Sequence, residues 1–158
     1  MKLVLAVLLL LLASCSSSRN QQVLNADEQQ PAILITIQKG ADSPFKQAII
    51  AKLKEDYGTK YSILVKNIKG FHDVQDEKYD ALIVMDQLKA WLFMNKGLKN
   101  IARKADKQKT IFFVSAGDPD WKWKREDLKL VTSATAKVNP DEVYARIKTR
   151  LDEVLVTK

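Results

Sequence analysis

Three aspartates stand where apolar runs give way to turns. Asp86 follows the run ALIVM, and Asp118 and Asp120 flank Pro119. Carboxylates gathered at one rim hold Mg2+ or move protons; taken singly they serve as turn and cap residues. Ser43 and Ser115 are the hydroxyls near such ends, but no Gly-x-Ser-x-Gly elbow surrounds either, so a hydrolase ranks last among the readings. His72 is the only histidine and lies in a charged turn, and Cys15 is the only cysteine. Zinc sites built on Cys and His are thereby excluded, no intramolecular disulfide can form, and no metal site is expected. Trp91 and Trp121 offer flat faces on which a ring or sugar stacks; as structural residues they would close the apolar ends of a sheet. The remaining pattern is basic. Lys96, Lys99, Arg103, Lys104, Lys107 and Lys109 form a run broken by Asp106, and Trp121-Lys122-Trp123-Lys124-Arg125 alternates indoles with cations. Indoles settle at the head-group level of a membrane and Lys or Arg bind phosphates, which suits an anionic interface. A solvated helix face is the ordinary meaning of such a run.

The front of the chain supplies an address. Lys2 precedes a continuous apolar run over residues 3–13, and Leu12-Ala13-Ser14-Cys15 is followed by three serines. A basic start, an apolar middle and small residues before a cut site make up a secretory signal. The run is shorter than the about 20 residues that cross a hydrocarbon core. The Leu-Ala-Ser-Cys ending resembles the lipobox of bacterial lipoproteins. That resemblance implies a signal peptide over residues 1–14, cleavage before Cys15, and fatty acyl chains such as palmitate on Cys15. Ser16, rather than Asp, follows the cysteine; by the same resemblance this implies sorting to the outer membrane, facing the periplasm. The membrane, reached through the acyl chains on Cys15, is the first expected partner.

The chain has 158 residues and a formal net charge of +7, of which the signal removes only Lys2. One domain with a proper core fits this length. A basic protein outside the cytoplasm meets anionic lipid, lipopolysaccharide, cell-wall glycan or another envelope protein, not nucleic acid.

Residues 16–30 (SSSRNQQVLNADEQQ) are polar and carry no aromatic side chain, so residues 15–30 read as the lipidated cysteine and a flexible tether. Fully stretched, such a tether spans up to roughly 50 Å. The domain proper is expected over residues 31–158. Its order reads strand (32–38), helix (from Ser43-Pro44 to Gly58), strand (61–68), strand (81–85), helix (95–105), strand (110–115), strand (128–135) and helix (from Asn139). Ser43 and Asn139 are expected N-caps. Gly58 is expected as a left-handed stop. In the first helix Phe45, Ala48, Ile49, Leu53 and Tyr57 mark the buried side, and Lys46, Lys52, Lys54 and Asp56 are expected to point outward.

Apolar strands separated by amphipathic helices predict an α/β fold, a three-layer doubly wound parallel sheet of five strands in the order 2-1-3-4-5. Over residues 32–158 the chain resembles the flavodoxin-like superfamily. The features that carry this are YDALIV (79–84) entering the third strand, the tryptophan-bearing connection after it, and TIFFVSAG (110–117). The fold implies a ligand rim beyond the carboxyl ends of the strands, here Lys39, Asp42, Ser43, Asp86, Trp91, Asp118 and Trp121. Flavodoxins cradle the FMN phosphate in a Ser/Thr/Gly-rich loop after the first strand. Here that stretch is Lys39-Gly40-Ala41-Asp42-Ser43-Pro44, in which Asp42 repels phosphate and Pro44 removes an N–H donor. Asp86 also resembles the phosphoacceptor of receiver domains, whose acidic pair after the first strand is replaced here by Gln38-Lys39-Gly40. The expectation is a non-catalytic, flavin-free binding module with no cofactor, its anionic contacts being Lys96, Lys99, Arg103, Lys122, Trp123, Lys124 and Arg125. An FMN-binding electron carrier or reductase is the alternative.

Overall fold

The computed structural model describes residues 22–24, 32–38, 43–88, 96–116, 123, 125–134 and 139–156. The strands are β1 (Gln22–Leu24), β2 (Ala32–Ile37), β3 (Ser62–Asn67), β4 (Ala81–Gln87), β5 (Thr110–Ala116) and β6 (Lys129–Ala134). The helices are α1 (Pro44–Tyr57), α2 (Lys96–Lys104) and α3 (Pro140–Val156).

β2, β4 and β5 read as unbroken apolar runs because both of their faces are covered. Side chains alternate between the faces. Ile33, Ile35, Ile37, Ile83, Met85, Ile111 and Phe113 pack under α1 and α3, against Ile49, Leu53, Val143, Ile147 and Leu151. Leu34, Leu82, Val84, Phe112 and Val114 turn the other way, under Leu98, Ile101 and Ala102 of α2. Thr36 is a buried polar residue within a strand, and its hydroxyl donates to the Ile83 carbonyl at 3.3 Å.

The five strands β2–β6 run parallel in the expected order, with β2 and β4 adjacent at the centre. The sheet has a sixth strand. β1 pairs antiparallel with β3, Val23 opposite Leu64. Three residues of the stretch expected as tether therefore extend the sheet, because the outer edge of β3 offers open backbone donors and acceptors. The link from β3 to β4 has no room for a long helix. It passes through a single 3-10 turn, Phe71–Asp73, and buries Val74 against the α2 side.

Local chemistry differs from expectation at two further points. Gly58 is right-handed (φ −66°, ψ −14°) and ends α1 by donating its N–H to the Lys54 carbonyl at 2.9 Å. A Cβ at this position would lie 2.5 Å from that same carbonyl oxygen, so close approach, not a left-handed turn, favours glycine. Ser43 precedes α1 as expected, but its hydroxyl makes no capping bond; its carbonyl accepts the Gln47 N–H at 3.0 Å. Asn139 does cap α3, its side-chain oxygen accepting the Asp141 N–H at 3.0 Å.

Candidate functional site

Two places bring chemistry-bearing side chains together. The first is the carboxyl rim of the sheet, where the strand order reverses between β2 and β4 and where ligands of doubly wound folds sit. Asp86 lies there within β4, which continues to Gln87, and it is fully buried. One carboxylate oxygen accepts the N–H of Gln87 at 2.8 Å, and its backbone carbonyl accepts the Ser115 hydroxyl at 3.4 Å. Lys46, expected on the outer side of α1, is instead only 2% exposed. The buried stripe of α1 runs Lys46, Ile49, Ile50, Leu53, Tyr57, and Lys46 occupies its first position, over the end of the sheet. Burial pushes the Lys46 amine below its usual pKa, and the charge of Asp86 opposes that shift. Ser43 is half-buried at the same end. The side-chain amide of Gln38, at the end of β2, has both polar atoms buried with no hydrogen-bond partner among the described residues. The other rim candidates, Lys39, Asp42, Trp91, Asp118 and Trp121, lie outside the described residues, as does Asp120.

The second place is a groove of about 540 Å3 beside α2, lined by Lys96, Lys99, Asn100, Arg103, Trp123 and Arg125. Five of these are residues whose sequence pattern suggested anionic contacts. Leu98, Ile101 and Ala102 fix α2 on the sheet. Lys96, Lys99, Asn100 and Arg103 then share its outer side at the i, i+3, i+4, i+7 spacing. Lys96, Lys99 and Arg103 are exposed. Asn100 was not anticipated, although that helical spacing points to it.

The far wall comes from the segment ahead of β6. Trp123 stands edge-on to Phe112 of β5, ring centroids 6.0 Å apart and planes at 86°. The Arg125 guanidinium lies 5.9 Å from the indole ring. Arg125 is fixed by a two-point pair with Asp127, at 2.7 and 2.8 Å, and Lys107 donates to the same carboxylate at 2.6 Å. These two cations hold the Asp127 carboxyl far below its usual range, and Asp127 in turn raises the Arg125 pKa. Among the described residues the groove has four cations, an indole and an amide in its wall and no carboxylate. The first turn of α2 also lacks an acidic residue, so the positive end of the helix dipole adds to the field of Lys96 and Lys99. Aliphatic lysine and arginine stems together with the indole give such a wall an apolar floor under charged tips.

Lys122 and Lys124, which flank Trp123 in sequence, and Cys15 lie outside the described residues. No group of three or more His, Cys, Asp or Glu side chains able to hold a metal occurs among the described residues. Among the same residues no helix is long and apolar enough to cross a membrane.

No protein-family model and no curated protein sequence matches this chain. Among solved structures, oxidised flavodoxin 2 from Bacillus cereus is 10% identical with a TM-score of 0.50, over 77% of this chain and 98% of that one. The Francisella novicida lysine decarboxylase LdcF is 12% identical with a TM-score of 0.46, over 80% of this chain and only 18% of that one. The likeness to flavodoxin 2 and the strand order together define a flavodoxin-like α/β fold.

Proposed function

We propose that this chain is an envelope lipoprotein, acylated at Cys15, whose flavodoxin-like domain is a non-catalytic module binding an anionic envelope surface. The observation that supports the binding role is the groove: Lys96, Lys99, Arg103 and Arg125 around Trp123, with no carboxylate among the described residues of the wall. The lipobox resemblance supports the anchor, and Ser16 after the cysteine supports the outer membrane as its destination. Anionic phospholipid, lipopolysaccharide and cell-wall glycan all carry the charge such a groove attracts.

A chain beginning at Ser16 contains every described element and no acylation site, so it isolates the groove from the anchor. It is expected to sediment with phosphatidylglycerol-containing vesicles, to be released by salt, and to ignore phosphatidylcholine vesicles. Each cation near an anionic surface contributes about 1 kcal/mol. The K96E/K99E/R103E variant should therefore bind at least about tenfold more weakly. Equal binding to both vesicle types would remove the electrostatic reading. For the anchor, Cys15→Ser should abolish incorporation of labelled palmitate.

A second reading, an FMN-dependent electron carrier or reductase, has the likeness to a flavodoxin in its favour. Flavin absorbance in the purified protein, or uptake of FMN at micromolar concentration, would establish it over the first. A colourless protein that ignores added FMN would end it.

A further inference from the structure

We infer that the domain lies flat on the leaflet that anchors Cys15, its α2 face down, with a phosphate-bearing lipid head group of that leaflet in the groove. This rests on the lipoprotein reading above and adds to it a partner and an orientation.

The length of the anchor link permits this pose. β1 places Gln22 in the sheet, so a link of seven residue steps, and not the whole of residues 15–30, separates it from Cys15. At about 3.5 Å per residue that link spans at most about 24 Å. Trp123 packs on β5, which is four strands from β1 in the sheet. At about 4.8 Å per strand the separation across the sheet is about 19 Å. One helix layer is only about 10–12 Å deep, so a bilayer under α2 lies within that reach of β1 and can hold Cys15 while it meets the groove.

Charge selects which face turns down. On one face α2 carries Lys96, Lys99, Arg103 and Lys104 and no acidic residue, and the β3–β4 link packed beside it adds Lys69 and Lys78 against Asp73, Asp76 and Glu77, so this face keeps a positive excess. α1 and α3, which cover the other, carry six cations and six carboxylates between them. Several of these are consumed in pairs, Lys52 with Asp141, Lys148 with Asp56 and Arg150 with Glu153. An anionic leaflet attracts the first face and is indifferent to the second. Anchors of this kind hold best when acyl chains act together with a polybasic patch.

The test uses the full acylated chain in vesicles, with an environment-sensitive dye on Lys104→Cys (α2 face) or on Ala145→Cys (α3 face). Brominated phosphatidylcholine serves as the quencher, with or without phosphatidylglycerol. With phosphatidylglycerol present, the dye at 104 should be quenched at least about twofold more than the dye at 145. The bias should vanish in phosphatidylcholine alone and in K96E/K99E/R103E. Equal quenching at the two positions with phosphatidylglycerol, or a bias that survives charge reversal, overturns the orientation. Flotation of the protein with the vesicles is scored separately. A chain that floats but shows no bias refutes this inference alone, whereas one that fails to float refutes the anchor and, with it, both readings.

Discussion

A lysine amine sealed at 2% exposure must keep a countercharge or give up its proton. Asp86 supplies that charge to Lys46. Replacing Lys46 by Met leaves the buried Asp86 carboxylate facing an apolar chain, a change of the class that costs about 3 kcal/mol. Adding Asp86→Asn should restore at least half of that loss, as read from urea unfolding midpoints. If the double variant is as unstable as Lys46→Met, Asp86 is not the residue that holds the amine. Lys46 was invisible in the sequence for a definite reason. Phe45 and Ala48 suggest a buried side one position away, which turns a charged residue at 46 toward water. The true stripe runs through 46, 49, 50, 53 and 57. A lysine sitting on an otherwise apolar i, i+3, i+7, i+11 row is the signal that could have found it.

At the scale of elements, α1 and α3 are joined by phenols and carboxylates above their apolar contact. The Tyr57 hydroxyl donates to Asp152 and the Tyr144 hydroxyl to Asp56, while Lys148 lies 3.0 Å from Asp56 and 4.7 Å from the Tyr57 ring centre. Burial, followed by the bond to Asp152, raises the Tyr57 pKa well above 10, and Tyr144 is raised likewise by burial and by Asp56. Both phenols then ionise more readily in the unfolded chain. Their contribution is whole below about pH 10 and declines as pH climbs from there through the raised folded values. Chemical denaturation across that range should show stability falling, with a shallower fall in Tyr57→Phe and Tyr144→Phe. Tyr57→Phe should also cost about 1 kcal/mol at neutral pH. Gly58 gives a separate test. With its Cβ position 2.5 Å from the Lys54 carbonyl oxygen, Gly58→Ala and Gly58→Asn should both destabilise by about 1–3 kcal/mol. A left-handed glycine would instead tolerate Asn better than Ala. The parallel strands were legible because burial on both faces leaves compact apolar runs such as AILITI and the ALIVM of β4. β1 was not, since QVL amid polar residues has no pattern of its own and becomes a strand only by meeting the edge of β3.

Across the whole molecule, the groove joins two parts of the chain that lie far apart in sequence. Its helical wall and its indole wall were each legible as basic patterns, but nothing local says that they meet. Their meeting follows from the parallel pairing of β5 with β6 and from the seat of Trp123, ahead of β6, on Phe112. The Arg125–Asp127–Lys107 cluster stiffens that wall. Asp127→Asn should free Arg125 from Asp127 and weaken vesicle binding by the chain beginning at Ser16, although it makes the protein more positive. Tighter binding by that variant would mean that net charge alone decides attachment. The most direct measurement is an amide and indole N–H chemical-shift map of the same chain titrated with monomeric short-chain phosphatidylglycerol. The shifts should concentrate on Lys96, Lys99, Asn100, Arg103, Trp123 and Arg125. Shifts absent there and centred on Gln38, Lys46 and Asp86 would contradict the account and place the ligand at the carboxyl rim of the sheet.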